Sequence, residues 1–87
     1  MPAKAQTKKI KVDDVEYTLQ KLPAREWIRL RKRCTKGNNF DEEKFVDEIL
    51  EYIVVDPKQT LDDFEDYGTL EEVVAEAVNF QSGKQVL

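Results

Sequence analysis

The chain has 87 residues, 40% hydrophobic and 37% charged, with a single cysteine and no histidine. That length supports one small core and excludes two, no apolar run reaches the roughly 20 residues of a membrane span, and a lone Cys34 excludes an internal disulfide framework. Residues 1–39 hold eleven Lys/Arg against four Asp/Glu (+7) and residues 40–87 three against fourteen (−11), so the net charge of −4 hides a basic half and an acidic half. Such a split marks a nucleic-acid contact, an acidic partner surface, or two halves that face each other in the fold.

The chain begins MPAKAQTKKIKV, positive but without a following apolar core of signal-peptide length, so the protein is expected in the cytoplasm. Residues 1–7 and 82–87 read as loose ends of a single domain spanning 1–87. In KIKVDDVEYTLQKL, Ile10 and Val12 alternate with Lys9 and Lys11, and Val15, Tyr17 and Leu19 repeat the period of two. Asp13-Asp14 between the two runs suits a tight turn, so the segment reads as a β-hairpin. Two strands alone are marginal in water and must lean on helices.

Pro23 and Ala24 open the first predicted helix. Trp27, Leu30 and Cys34 form its apolar stripe, with Ile28 at the margin and Arg25, Arg29, Lys32 and Arg33 opposite. Gly37-Asn38-Asn39 stops it. The second helix is predicted from Asp41 to about Val54. Its rows Phe45–Ile49–Tyr52 and Val46–Leu50–Ile53 are wide enough to form the centre of the core, and acids crowd its first turn, where the helix dipole favours them. Asp56-Pro57 ends it.

Next come two near-copies of one phrase, TLDDF at Thr60–Phe64 and TLEEV at Thr69–Val73, separated by Gly68. Thr69 with Glu72 matches a capping box, Thr60 with Asp63 is its shorter version, and Gly68 suits the left-handed close of a short helix between them. The phrases are helix starts. The last helix is predicted from Leu70 to about Phe80, with Leu70, Val73, Val74, Ala77 and Val78 on one face, ended by Gln81-Ser82-Gly83-Lys84. The expected fold is therefore mainly α: an N-terminal β-hairpin followed by three or four helices.

Catalytic chemistry has little to work with. Without histidine no Cys–His or Ser–His pair exists, and three isolated glycines make no phosphate loop. Asp62, Asp63, Glu65 and Asp66 lack the ligand alternation and central glycine of a calcium loop. No catalytic residue, cofactor or metal is expected, and the protein is expected not to be an enzyme. The run Arg29-Leu30-Arg31-Lys32-Arg33 is the strongest nucleic-acid signal. The helix after it is acidic at its start and apolar across its face, unlike a groove-reading helix, so a solvated basic face is preferred to DNA binding.

Two segments carry a resemblance: DDVEYTLQKLPAREWIRL, and EILEYIVVDPKQTLDDFEDYGTLEEVVAEAVNFQSGK. Tyr17-Thr18-Leu19-Gln20 leading into Leu22-Pro23 and Trp27, then Val54-Val55-Asp56-Pro57 with Leu61 and Phe64, and Phe80-Gln81, together resemble the tail assembly chaperones of long-tailed phages and prophages of Gram-positive bacteria. The likeness covers about residues 8–84 and rests on packing and turn positions. It implies a mostly helical, non-enzymatic protein of the bacterial host cytoplasm that coats the long helical tape-measure protein and keeps it soluble while the tail tube assembles. It also implies a tail-tube partner, reached in many members through a frameshifted longer form. A chaperone for such a client needs exposed apolar side chains with repelling charge elsewhere. The expected contacts are Trp27, Ile28 and Leu30 on the first helix and Val74, Val78 and Phe80 on the last, with Arg25, Arg29 and Arg31 as a polar rim. Self-association along the client is a further expectation. The alternatives are a small DNA-binding regulator using helix 25–33 and a structural head–tail connector component.

Overall fold

In the computed structural model, which describes residues 6–83, the alternating segment forms the expected hairpin. β1 (Thr7–Val12) pairs antiparallel with β2 (Val15–Gln20), from Thr7↔Gln20 to Val12↔Val15. The loop is Asp13-Asp14, with φ of 51° and 68°. Positive φ at both central residues is the type I′ arrangement, whose twist matches that of the strands. Ile10, Val12, Tyr17 and Leu19 share the face that enters the core, while Lys9, Lys11, Glu16 and Thr18 lie on the other. Of the expected loose ends, 1–5 and 84–87 lie outside the described residues. Thr7 is in the first strand and Ser82 in the last helix.

Helix α1 (Ala24–Arg33) starts one residue later than expected. Pro23 stands outside it with ψ of 152°, an extended value, as the cap residue. Leu30 and Cys34 are buried, as their spacing requires. Where a simple stop is expected, the chain forms a second small hairpin, β3 (Thr35–Lys36) with β4 (Asn39–Phe40). Gly37 takes φ of 58° at the first central position of its two-residue loop, where the hairpin geometry favours glycine. Asp41 then caps α2 (Glu42–Tyr52), its carboxylate accepting the Lys44 N–H at 3.0 Å.

Helix α2 stops two residues before the expected Val54. The β-branched residues that follow form β5 (Val54–Asp56), which pairs antiparallel with the open edge of β2. Gln20 drives the change at both of its amide groups. Its backbone N–H takes the Ile53 carbonyl at 2.8 Å and its side-chain amide takes the Tyr52 carbonyl at 2.9 Å, satisfying oxygens that a helix end leaves free. The result is an antiparallel sheet of order β1-β2-β5, with a register shift at Thr18/Leu19. The mainly α assignment is thus corrected. The described residues are 51% helical and 24% strand, an α+β fold.

After a 3₁₀ turn (Leu61–Asp63), helix α3 runs Tyr67–Ser82 and closes on Gly83, whose φ is 67°. Val46, Ile49 and Leu50 of α2, its cap residue Ile53, and Leu70, Val73 and Ala77 of α3 pack with Val12, Tyr17 and Leu19 of the sheet in one cluster. The helix pair covers one face of the sheet, and the other face is polar. Tyr52, expected in the α2 stripe, turns outward and lies 5.7 Å from the Arg33 guanidinium.

The opening of α3 corrects the capping assignment. Thr69 lies in its first turn, and the cap is Asp66, whose Oδ2 accepts the Thr69 N–H at 3.0 Å and its hydroxyl at 3.1 Å. Gly68 is in that same turn and lacks the positive φ expected of it. Thr60 does start the 3₁₀ turn, its N–H bonding Asp63 Oδ2 at 2.8 Å. The acidic phrase is helix punctuation, with one of its two marks three residues earlier than the threonine suggests.

Candidate partner-binding surface

Of helix α1 only Leu30 is buried and only Trp27 is half-buried, packed against the core cluster, so the rest of its circumference faces out. Ile28 stands on that outward side, 55% exposed. Its helical neighbours at one, three and four residues are Arg25, Arg29, Arg31 and Lys32, all exposed. Among the described residues, Ile28 is not one of the hydrophobics packed against the core cluster. Across from it, the β3–β4 hairpin holds out Phe40, 54% exposed. Between them lies an open groove of about 410 Å³, lined also by Arg31, Lys32, Thr35 and Gly37. On the other flank of Ile28, a hollow of about 470 Å³ is lined by Arg25, Arg29 and Lys32.

Phe40 is held in place from behind. Its ring lies 5.2 Å from that of Phe45, which lies 6.0 Å from Trp27, both pairs tilted, within the range where aromatic pairs attract. The three rings form a row from α1 across α2 to the hairpin, half-buried at Trp27 and open at Phe40. A rigid, half-exposed aromatic of this kind binds without having to be ordered first.

The charges around the groove are mostly free. Among the described residues, Arg29 pairs with Glu26 at 3.7 Å and Arg33 with Glu48 at 2.5 Å, while Arg25, Arg31 and Lys32 have no acidic partner. Among the described residues only Arg33–Glu48 is an ion pair between the basic half and the acidic half. Hydrogen bonding to Glu48 raises the Arg33 pKa further, locking its charge. The rim is therefore cationic, and a partner with carboxylates beside an apolar ridge complements it.

The expected contact residues fall in three environments. Ile28, Arg25, Arg29 and Arg31 are exposed on α1; Ile28 and Arg31 line the groove, while Arg25 and Arg29 line the hollow on the other flank of Ile28. Trp27 is half-buried behind Phe45. Leu30 is 0% exposed and is removed from the surface, because the side of α1 that carries Trp27 and Cys34 faces inward. Val74, Val78 and Phe80 are half-buried against the core on α3, with the Lys21 ammonium 6.0 Å from the Phe80 ring. Phe40 escaped the sequence because a lone aromatic between Asn39 and Asp41 belongs to no periodic pattern. The signal available was its place just after a glycine turn.

Burial raises the Cys34 thiol pKa, and Glu48 adds to it, which keeps the thiol protonated and unreactive. Asp63 and Asp66 serve as caps, and among the described residues no three or more His, Cys, Asp or Glu side chains are grouped to hold a metal ion. No helix among the described residues is long and apolar enough to cross a membrane. Compared with protein-family models, with curated proteins and with solved structures, the chain matches none.

Proposed function

We propose that this protein is a phage tail assembly chaperone that holds a long helical tape-measure protein in solution through the groove between Ile28 and Phe40. The observation that carries the proposal is this pair of large apolar side chains, each more than half exposed on a surface the core does not need. Singly exposed hydrophobics are ordinary, but two across an open groove with an aromatic row behind them mark an interaction surface. The free cations Arg25, Arg31 and Lys32 steer and orient an amphipathic helix, and the excess acid of residues 40–87 keeps the loaded complexes apart. The resemblance of segments 13–30 and 48–84 to tail assembly chaperones supplies the identity of the client. On this proposal the protein acts in the host cytoplasm and makes or breaks no covalent bond. A tail-tube subunit is a second partner, reached through a frameshifted longer form.

Co-expression with a tape-measure protein tests it. Soluble client is expected with the wild-type chain and aggregated client with Ile28→Asp/Phe40→Asp. Equal solubility with both would contradict the proposal. The protein should also be missing from purified particles by mass spectrometry, whereas a connector would be present.

A second possibility, DNA binding, is favoured by one feature, the hollow lined by Arg25, Arg29 and Lys32. Phosphate contacts through three such cations would give an affinity that falls steeply with salt. A duplex bound in preference to any polypeptide would decide for it.

A further inference from the structure

The client groove leaves a second apolar hollow unused. Glu42 and Glu43 in the first turn of α2, with Tyr67 at the start of α3, rim a depression of about 240 Å³ floored by Val46, Leu61 and Leu70. That is below the roughly 300–1,000 Å³ of small-molecule sites. No Lys or Arg lines it, and among the described residues neither glutamate is in an ion pair. Tyr67 is 65% exposed. Together with Ile28 and Phe40 it makes three of the five exposed large hydrophobics among the described residues. Phe40 precedes Glu42 by two residues, so their backbones are within about 7 Å of each other by chain reach alone. A cationic groove and an acid-rimmed hollow therefore adjoin at the corner between β4 and α2.

We propose that the partner of this corner is a second copy of the chain. Glu42 and Glu43 of one copy oppose Arg31 and Lys32 of the other, and Tyr67 enters the groove between Ile28 and Phe40. Because the two patches adjoin on each copy, a two-fold arrangement makes this contact twice and closes the pair. The contact covers apolar rings that otherwise face water and sets unpaired charges against opposite ones. It also occupies the client groove. Resting on the client-binding proposal, the consequence is that pairing and client binding compete, so the free protein stores its apolar surface against itself.

Sedimentation velocity on the full chain tests the pairing. Wild type should sediment as a dimer that weakens with added salt. Glu42→Arg/Glu43→Arg and Arg31→Glu/Lys32→Glu should each lower the affinity by about a hundredfold or more, the scale of juxtaposed like charges. An equimolar mixture of the two variants should restore a dimer, since each then offers the charge the other lacks. All four positions are exposed, and circular dichroism checks that each variant is folded. A monomeric wild type, a dimer insensitive to both reversals, failure of the mixture to associate, or growth beyond the dimer would overturn the proposal. Glu42→Arg/Glu43→Arg leaves Ile28 and Phe40 in place and should still solubilise client. Loss of pairing is thereby separable from failure of the client-binding proposal.

Discussion

Gln81 ties two distant parts of the chain through one amide. It is 5% exposed, and its side chain accepts the Leu22 N–H at 2.6 Å while donating to the Leu22 carbonyl at 2.9 Å. The connection from β2 to α1 is thereby bonded to the last turn of α3 as a strand would be to its neighbour. Gln81→Ala leaves both groups of Leu22 without partners and should cost about 2 kcal/mol, measured as a shift in urea midpoint. Gln81→Glu keeps an acceptor but has no donor for the carbonyl, so it should fall well below wild type. Cys34 and Tyr17 give a pH dependence. Burial first and Glu48 second raise the Cys34 pKa, and burial with Asp13 raises that of Tyr17. Both are acids whose neutral form the fold favours, so their contribution is complete below the unfolded values, about 8.5 and 10, and is lost as pH rises through the folded ones. Unfolding midpoints should decline above about pH 8.5, and Cys34→Ala should delay the decline to the tyrosine range.

Helix ends separate what sequence pattern conveys from what it does not. Asp66 caps α3, so Asp66→Ala should lose about 1 kcal/mol, whereas Glu72→Ala, which removes the partner expected from the Thr69 pattern, should stay near wild type in chemical denaturation. Both TLDDF and TLEEV satisfy the same local rule, and only the fold decides which threonine stands at a boundary. The first hairpin was legible because Ile10, Val12, Tyr17 and Leu19 alternate about a turn of two aspartates, a wholly local signal. β5 was not. Ile53-Val54-Val55 continues the apolar rows of α2, and what pulls the chain into a strand is Gln20, more than thirty residues earlier. The stripe of α1 was legible, but Leu30 belonged to it and could not also serve the surface. The exposed elements have their own test. Ile28→Asp should change stability by no more than about 0.5 kcal/mol, Phe40→Asp should cost about 1 kcal/mol for its lost ring pair with Phe45, and Leu30→Asp buries a charge and should unfold the chain, all read by thermal melts.

For the molecule as a whole, the split of charge along the chain is the feature that sequence states most plainly. Among the described residues one ion pair, Arg33–Glu48, joins the basic half to the acidic half. The cationic side carries the exposed Ile28 and Phe40, and the corner beyond it carries Glu42, Glu43 and Tyr67. The central claim is that the first of these surfaces grips another polypeptide. Nuclear magnetic resonance of the isotope-labelled chain, titrated with an amphipathic helical segment of a tape-measure protein, tests it most directly. Shifts should concentrate on Ile28, Arg31, Lys32 and Phe40 and spare the polar face of the β1-β2-β5 sheet. Shifts confined to that sheet face, or none at saturating peptide, would contradict it.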